Sequence, residues 1–142
     1  MVQSPLCARA RRAKGAIRVT AYAFRLNGPI IPYVRMTRRG LHVSARAQAY
    51  LVSQDALRWQ IKGQMGHNGW AMLPERTPLA VTIHFGYVNR RADLDNLAKA
   101  VLDACNGIVW TDDRWIDFLT VTRCDVRMNA SDGLIALEVR PL

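Results

Sequence analysis

Between Leu79 and Phe85 the chain alternates, with Leu79, Val81, Ile83 and Phe85 on one side of an extended segment and Ala80, Thr82 and His84 on the other. A period of two marks a half-buried strand, so "LAVTIHFGY" is the clearest strand in the chain. "IRVTAYAFRL", Ile17 to Leu26, is rich in β-branched and aromatic residues and predicts another. Two further strands are expected from about Trp115 to Cys124 and from Leu134 to Arg140. The intervening "DVRMNASDG" suggests that these two form a hairpin with a loose loop.

Helical spacing appears in two places. Ser44 is a suitable N-cap for a helix running to about Gln64, with Ala47, Tyr50, Leu57 and Ile61 on one face and Gly63, Gly66 and Gly69 expected to break it. A second helix is predicted from Leu94 to Cys105, closed by Asn106-Gly107 in a left-handed cap. Its apolar side is Leu94, Leu97, Ala98, Val101, Leu102 and Cys105, which leaves Asp95, Lys99 and Asp103 on its polar side. The fold class that follows is α+β: two main helices packed on a small mixed or antiparallel sheet. "NGPIIPYVRMTRRG", broken by Gly28, Pro29, Pro32 and Gly40, reads as a loop carrying Arg35, Arg38 and Arg39. Residues 1–16 lack either periodicity and read as a basic extension, leaving 17–142 as one domain.

Charge changes this picture. The 142 residues carry a net charge of +9, and no acidic residue precedes Asp55. Seventeen of the 20 basic residues are Arg, whose planar fork suits phosphate. Such asymmetry is the footprint of a nucleic-acid binder, and Arg35, Arg38, Arg39 and Arg46 are the expected phosphate contacts. No apolar run is long enough to span a membrane, and the opening segment has no apolar stretch of the kind a secretory signal needs. A cytoplasmic protein is the expectation. Cys7, Cys105 and Cys124 show no paired spacing, so neither a disulfide framework nor a zinc site is indicated. Cys105 and Cys124 read as core residues, and Cys7 as an exposed thiol.

Against this basic background, six of the 11 acidic residues fall between Arg90 and Asp117. Asp93 and Asp95 stand at a strand-to-helix junction, and Asp95, Lys99 and Asp103 are i, i+4 neighbours. Asp112 and Asp113 follow a short turn that can return them to the polar side of the helix. Converging carboxylates repel unless a cation joins them, and an oxygen-only ligand set suits Mg²⁺ or Mn²⁺. Each acid also has a plain structural reading: Asp93 as a cap, Asp95 with Lys99 as an exposed ion pair, Asp112-Asp113 as turn residues. An Asp-x-Asp pair by itself also occurs in nucleotide-sugar transferases and calcium loops. A non-catalytic DNA-binding accessory, in which the acids only organise a loop, is the competing function.

The order D-L-D-N-L-x-K-x-x-x-D-x-x-N-G-x-x-x-x-D-D from Asp93 to Asp113 resembles the central motif of the RusA family of Holliday junction resolvases. Upstream, "PYVRMTRRGLHVSARAQAYL" is similar to the family's basic loop leading into its first helix. The loop departs from the Pro-Pro-Ser-x-Asn segment seen in some members, a difference that leaves the acidic positions untouched. The resemblance implies a homodimeric endonuclease that resolves four-way, branched DNA junctions with Mg²⁺, for which Mn²⁺ substitutes. It implies Asp93, Asp95 and Asp113 as metal-binding catalytic carboxylates and Lys99 as the catalytic lysine; Asp103 and Asp112 match further positions of the motif and, with Asn96, are assigned supporting roles. Asp103 is expected to orient Lys99, and Asn96 to fix the loop through its side chain. Trp70, Trp110 and Trp115 are candidates for a dimer interface or for the core, and Trp59 for core or rim.

Overall fold

A computed structural model describes residues 21–28, 30–33, 45–86, 92–124 and 134–142. Cys7, the 1–16 extension, Arg35, Arg38, Arg39 and Ser44 lie outside the described residues, as does the 125–133 connection. Strands β1 (Tyr22–Leu26), β2 (Leu79–Gly86), β3 (Ile116–Cys124) and β4 (Ile135–Pro141) form one mixed sheet in the order β1-β4-β2-β3. Helices α1 (Ala45–Asn68) and α2 (Leu94–Cys105) complete the α+β arrangement.

The expected hairpin between the last two strands is not formed. β2 lies between them, parallel to β3 and antiparallel to β4. The reason is α2: a helix joining two strands supplies the long crossover that parallel neighbours require, so β2, α2 and β3 make one βαβ unit. β4 then returns on the other side of β2 and pairs with β1.

Alternation decides which face is covered. Phe24, Leu137, Ile83 and Val121 sit opposite one another across the four strands, and the first three are buried. From α1, Leu57, Ile61 and Met65 join this core, and from α2, Leu97, Val101 and Cys105. Trp110 is 1% exposed within it, and its indole N–H donates to the Asn106 side chain at 2.7 Å. Trp70 stacks on Tyr22 at 4.7 Å between ring centres, so these two tryptophans pack within their own chain. The opposite face of the sheet, with Thr82, His84, Thr120 and Thr122, is exposed.

Helix α1 continues through Gly63 and Gly66 to Asn68, longer than its glycines predict, and stops at Gly69 with φ +66°. Burial of Ile61 and Met65 outweighs the helix penalty of about 1 kcal/mol per glycine. Gln60 and Gln64, one turn apart on α1, bond the outer edge of β1. Gln64 accepts from the Arg25 amide and donates to its carbonyl, and Gln60 does the same for Asn27.

Candidate active site

Helix α2 places the acidic motif. Asp93 is its N-cap in extended backbone, and its carbonyl accepts from Leu97 N at 3.1 Å while its side chain makes no capping bond. The capping reading of that carboxylate is therefore not realised. Asp95 is exposed in the first turn and accepts from the Asn96 amide at 2.9 Å. The Arg123 guanidinium donates to the Ala92 carbonyl at 2.7 Å and anchors the chain just ahead of Asp93. Asn96 ties the loop through its backbone: its carbonyl accepts from Tyr33 N at 3.1 Å.

Past Cys105 the chain folds back. Gly107, at φ +79°, turns it, and the Gly107 amide donates to the Trp110 carbonyl at 2.7 Å. Arg58 donates to the Ala104 and Asn106 carbonyls, a cation suited to the negative end of α2. This turn delivers Asp113 to the polar side of α2, where Leu94, Asp95, Lys99, Leu102, Asp113 and Leu119 line an open groove of about 500 Å³.

Within that neighbourhood each charge has a distinct setting. The Lys99 ammonium stands 3.3 Å from Asp103 and 4.9 Å from the centre of the Tyr33 ring. The Tyr50 hydroxyl donates to the other Asp103 oxygen at 3.4 Å, and the Tyr33 and Tyr50 rings meet edge to face. Burial, followed by the charge of Asp103, pushes the Tyr50 hydroxyl far up, so it remains a donor. Asp112 accepts from the Arg114 amide at 2.9 Å and pairs with its guanidinium at 3.1 Å. Those contacts, the backbone bond first, hold its carboxyl below the usual range. Asp113 moves the other way: partial burial, then a hydrogen bond and repulsion from Asp112, raise its carboxyl, with Lys99 opposing.

The structure thus gathers Asp95, Lys99 and Asp113 along one groove, with Asp103 behind Lys99 and Asp112 beside Asp113. Asp93 stands exposed at the start of α2, two residues before Asp95. Among the described residues, no three His, Cys, Asp or Glu side chains meet as a preformed cation cage. The donor chemistry nonetheless fits a hard divalent ion: the acids offer carboxylate oxygens alone, and a cation would favour the Asp113 charge that burial and Asp112 disfavour. Arg46 is exposed near the start of α1. Cys105 is buried and its thiol pushed up by burial, which leaves it inert, and Cys124 is half-buried at the end of β3. Among the described residues, no helix is long and apolar enough to cross a membrane.

Tyr33, Tyr50 and Arg123 are the residues that sequence reasoning passed over. Tyr50 was visible only as one more apolar position on α1, and Tyr33 as a loop residue. Arg123, a lone cation among the threonines and apolar residues of a strand, was the better signal.

No curated protein matches the chain. A family model described as endodeoxyribonuclease RusA matches residues 32–139, a span that holds α2, the Asp112-Asp113 turn and all five acids of the motif. With most of its 142 residues inside that match, the chain belongs to the RusA endodeoxyribonuclease family.

Proposed function

We propose that the chain is a Mg²⁺-dependent, structure-selective endonuclease that resolves four-way DNA junctions by paired cuts in opposed strands. The observation that carries this reading is the groove in which Asp95 and Asp113 face the same space as Lys99. Asp93, Asp95 and Asp113 would hold Mg²⁺, or Mn²⁺ in its place. When bound, such an ion activates water and stabilises the departing 3′ oxygen of a phosphodiester.

The chain's own residues supply the rest. Lys99 neutralises charge that develops on the scissile phosphate. Asp103, held by Tyr50, and the ring of Tyr33 fix where that ammonium stands. Leu94, Leu102 and Leu119 give the groove apolar walls that strengthen the electrostatics inside it. Arg35, Arg38, Arg39 and Arg46 grip phosphates away from the break, fixing position without reading sequence. Binding accordingly weakens as salt rises. Products carry 5′-phosphate and 3′-hydroxyl ends. Two symmetric cuts call for two active sites related by a twofold axis, and hence for a homodimer.

The test is cleavage of a labelled four-way junction beside its linear duplex arms, with and without Mg²⁺, by the wild type and Asp95→Asn. Paired nicks in the junction that need Mg²⁺ and vanish in the variant are expected. Tight junction binding with no cut under any divalent ion would overturn the catalytic reading.

A further inference from the structure

Helix α1 carries a second face. On the side away from the buried Leu57 and Ile61, the positions Val52, Ala56, Trp59, Gly63 and Gly66 follow at alternating steps of four and three, the spacing that keeps a row on one side of a helix. All five are exposed. Trp59 is 80% and Val52 69% exposed, unusual for large apolar side chains. A Cβ added at Gly63 or Gly66 would have nothing within 4 Å. Packing among the described residues therefore gives no reason for glycine at either place, and glycine is disfavoured in helix interiors. Close approach by a second surface does give one.

The row is complementary to its own reversal. Set antiparallel about Trp59, Val52 comes opposite the partner's Gly66 and Ala56 opposite the partner's Gly63, each larger side chain meeting a bare backbone. The same reversal lays Asp55 beside the partner's Lys62 and Lys62 beside the partner's Asp55. Among the described residues neither side chain has an ion pair within its own chain. A contact that uses the same residues twice in this manner is the isologous kind that closes at two copies.

We propose that this outer face of α1 joins two copies of the chain, with the helices antiparallel and the two Trp59 side chains meeting on the twofold axis. The proposal rests on the homodimeric reading above and adds the surface and the register. The interface and the candidate site then share one helix, since Tyr50 on the inner side of α1 holds Asp103.

Sedimentation equilibrium of the full chain tests this, using wild type, Trp59→Glu, Asp55→Lys and the double swap Asp55→Lys with Lys62→Asp. Wild type is expected to be dimeric. Trp59→Glu should raise the dimer dissociation constant about thirtyfold or more, as loss of a central interface tryptophan does. Asp55→Lys should weaken the dimer and the double swap restore it, a recovery that a misfolded variant would not show. A dimer undisturbed by both single variants would overturn this surface while leaving the homodimer standing. A wild-type chain that stays monomeric at all concentrations would remove both.

Discussion

The ammonium of Lys99 lies over the ring of Tyr33, 4.9 Å from its centre, while its other side meets Asp103 at 3.3 Å. A flexible four-carbon side chain is thereby confined between an aromatic face and a carboxylate at the rim of the acidic groove. Tyr33 is in turn fixed by its amide, which donates to the Asn96 carbonyl on α2.

Removing the ring should loosen the lysine. Tyr33→Ala is expected to slow single-turnover junction cleavage about two- to fivefold, the equivalent of the ~0.5–1 kcal/mol of an exposed cation–π contact. Tyr33→Phe keeps the ring and should remain near wild type. Junction affinity, measured in parallel without divalent ions, should change little in either variant.

Asp113 sets a pH dependence whose sign can be worked out. Its folded-state pKa lies above that of an unfolded aspartate, so the native state holds the proton more firmly. Stability is therefore lost as pH rises from the ordinary aspartate range through the raised value. In metal-free buffer, Asp113→Asn should be slightly more stable than wild type at neutral pH, by about 0.5 kcal/mol or less for a half-buried site that solvent still screens. The gap should close in acid. Added Mg²⁺ should raise the thermal midpoint of wild type and leave that of the variant unmoved.

The bonds from Gln60 and Gln64 to β1 are each doubled, amide and carbonyl together. Gln60→Ala and Gln64→Ala should each cost about 1 kcal/mol in urea unfolding, since the freed backbone groups turn to water. Hydrogen exchange localises the effect: the Arg25 amide should speed up in Gln64→Ala, and the Asn27 amide in Gln60→Ala.

Trp110 couples the core to the turn that returns Asp113. Trp110→Ala should destabilise by about 3–5 kcal/mol through the cavity left behind. Trp110→Phe loses the bond to Asn106 but keeps an aromatic ring, and should cost less. Urea unfolding separates the two, and the cleavage rate of Trp110→Phe reports how far the turn itself positions the groove.

Much of this architecture is legible in the sequence. The bounds of α2 follow from its spacing and from Asn106-Gly107, which permit one solution, and the alternation in β2 survives intact because a single face of the sheet is covered. The partner of β3 is not legible in the same way, because strand order is set by what crosses over the sheet, a non-local fact that α2 decides. Gly63 and Gly66 misled for a related reason: local propensity argued for a break, while Met65, one residue short of the second glycine, still had core to fill. The grouping of Asp95, Lys99 and Asp113 along one groove follows from the i, i+4 spacing on α2 and the turn after it. Tyr33, which lies over Lys99, and Tyr50, which holds Asp103, stand 66 and 49 positions before Lys99 in the chain, at distances no motif spans.

The glutamines on α1 have one more consequence. A sheet with two free margins can add strands without end and grow into a fibre. Here α1 acts as a terminator on the β1 side, because the hydrogen bonds an incoming strand would seek at Arg25 and Asn27 are already taken. Among the described residues the other margin is β3, and pairing edge to edge from one margin alone would join two sheets and then have no further edge to extend.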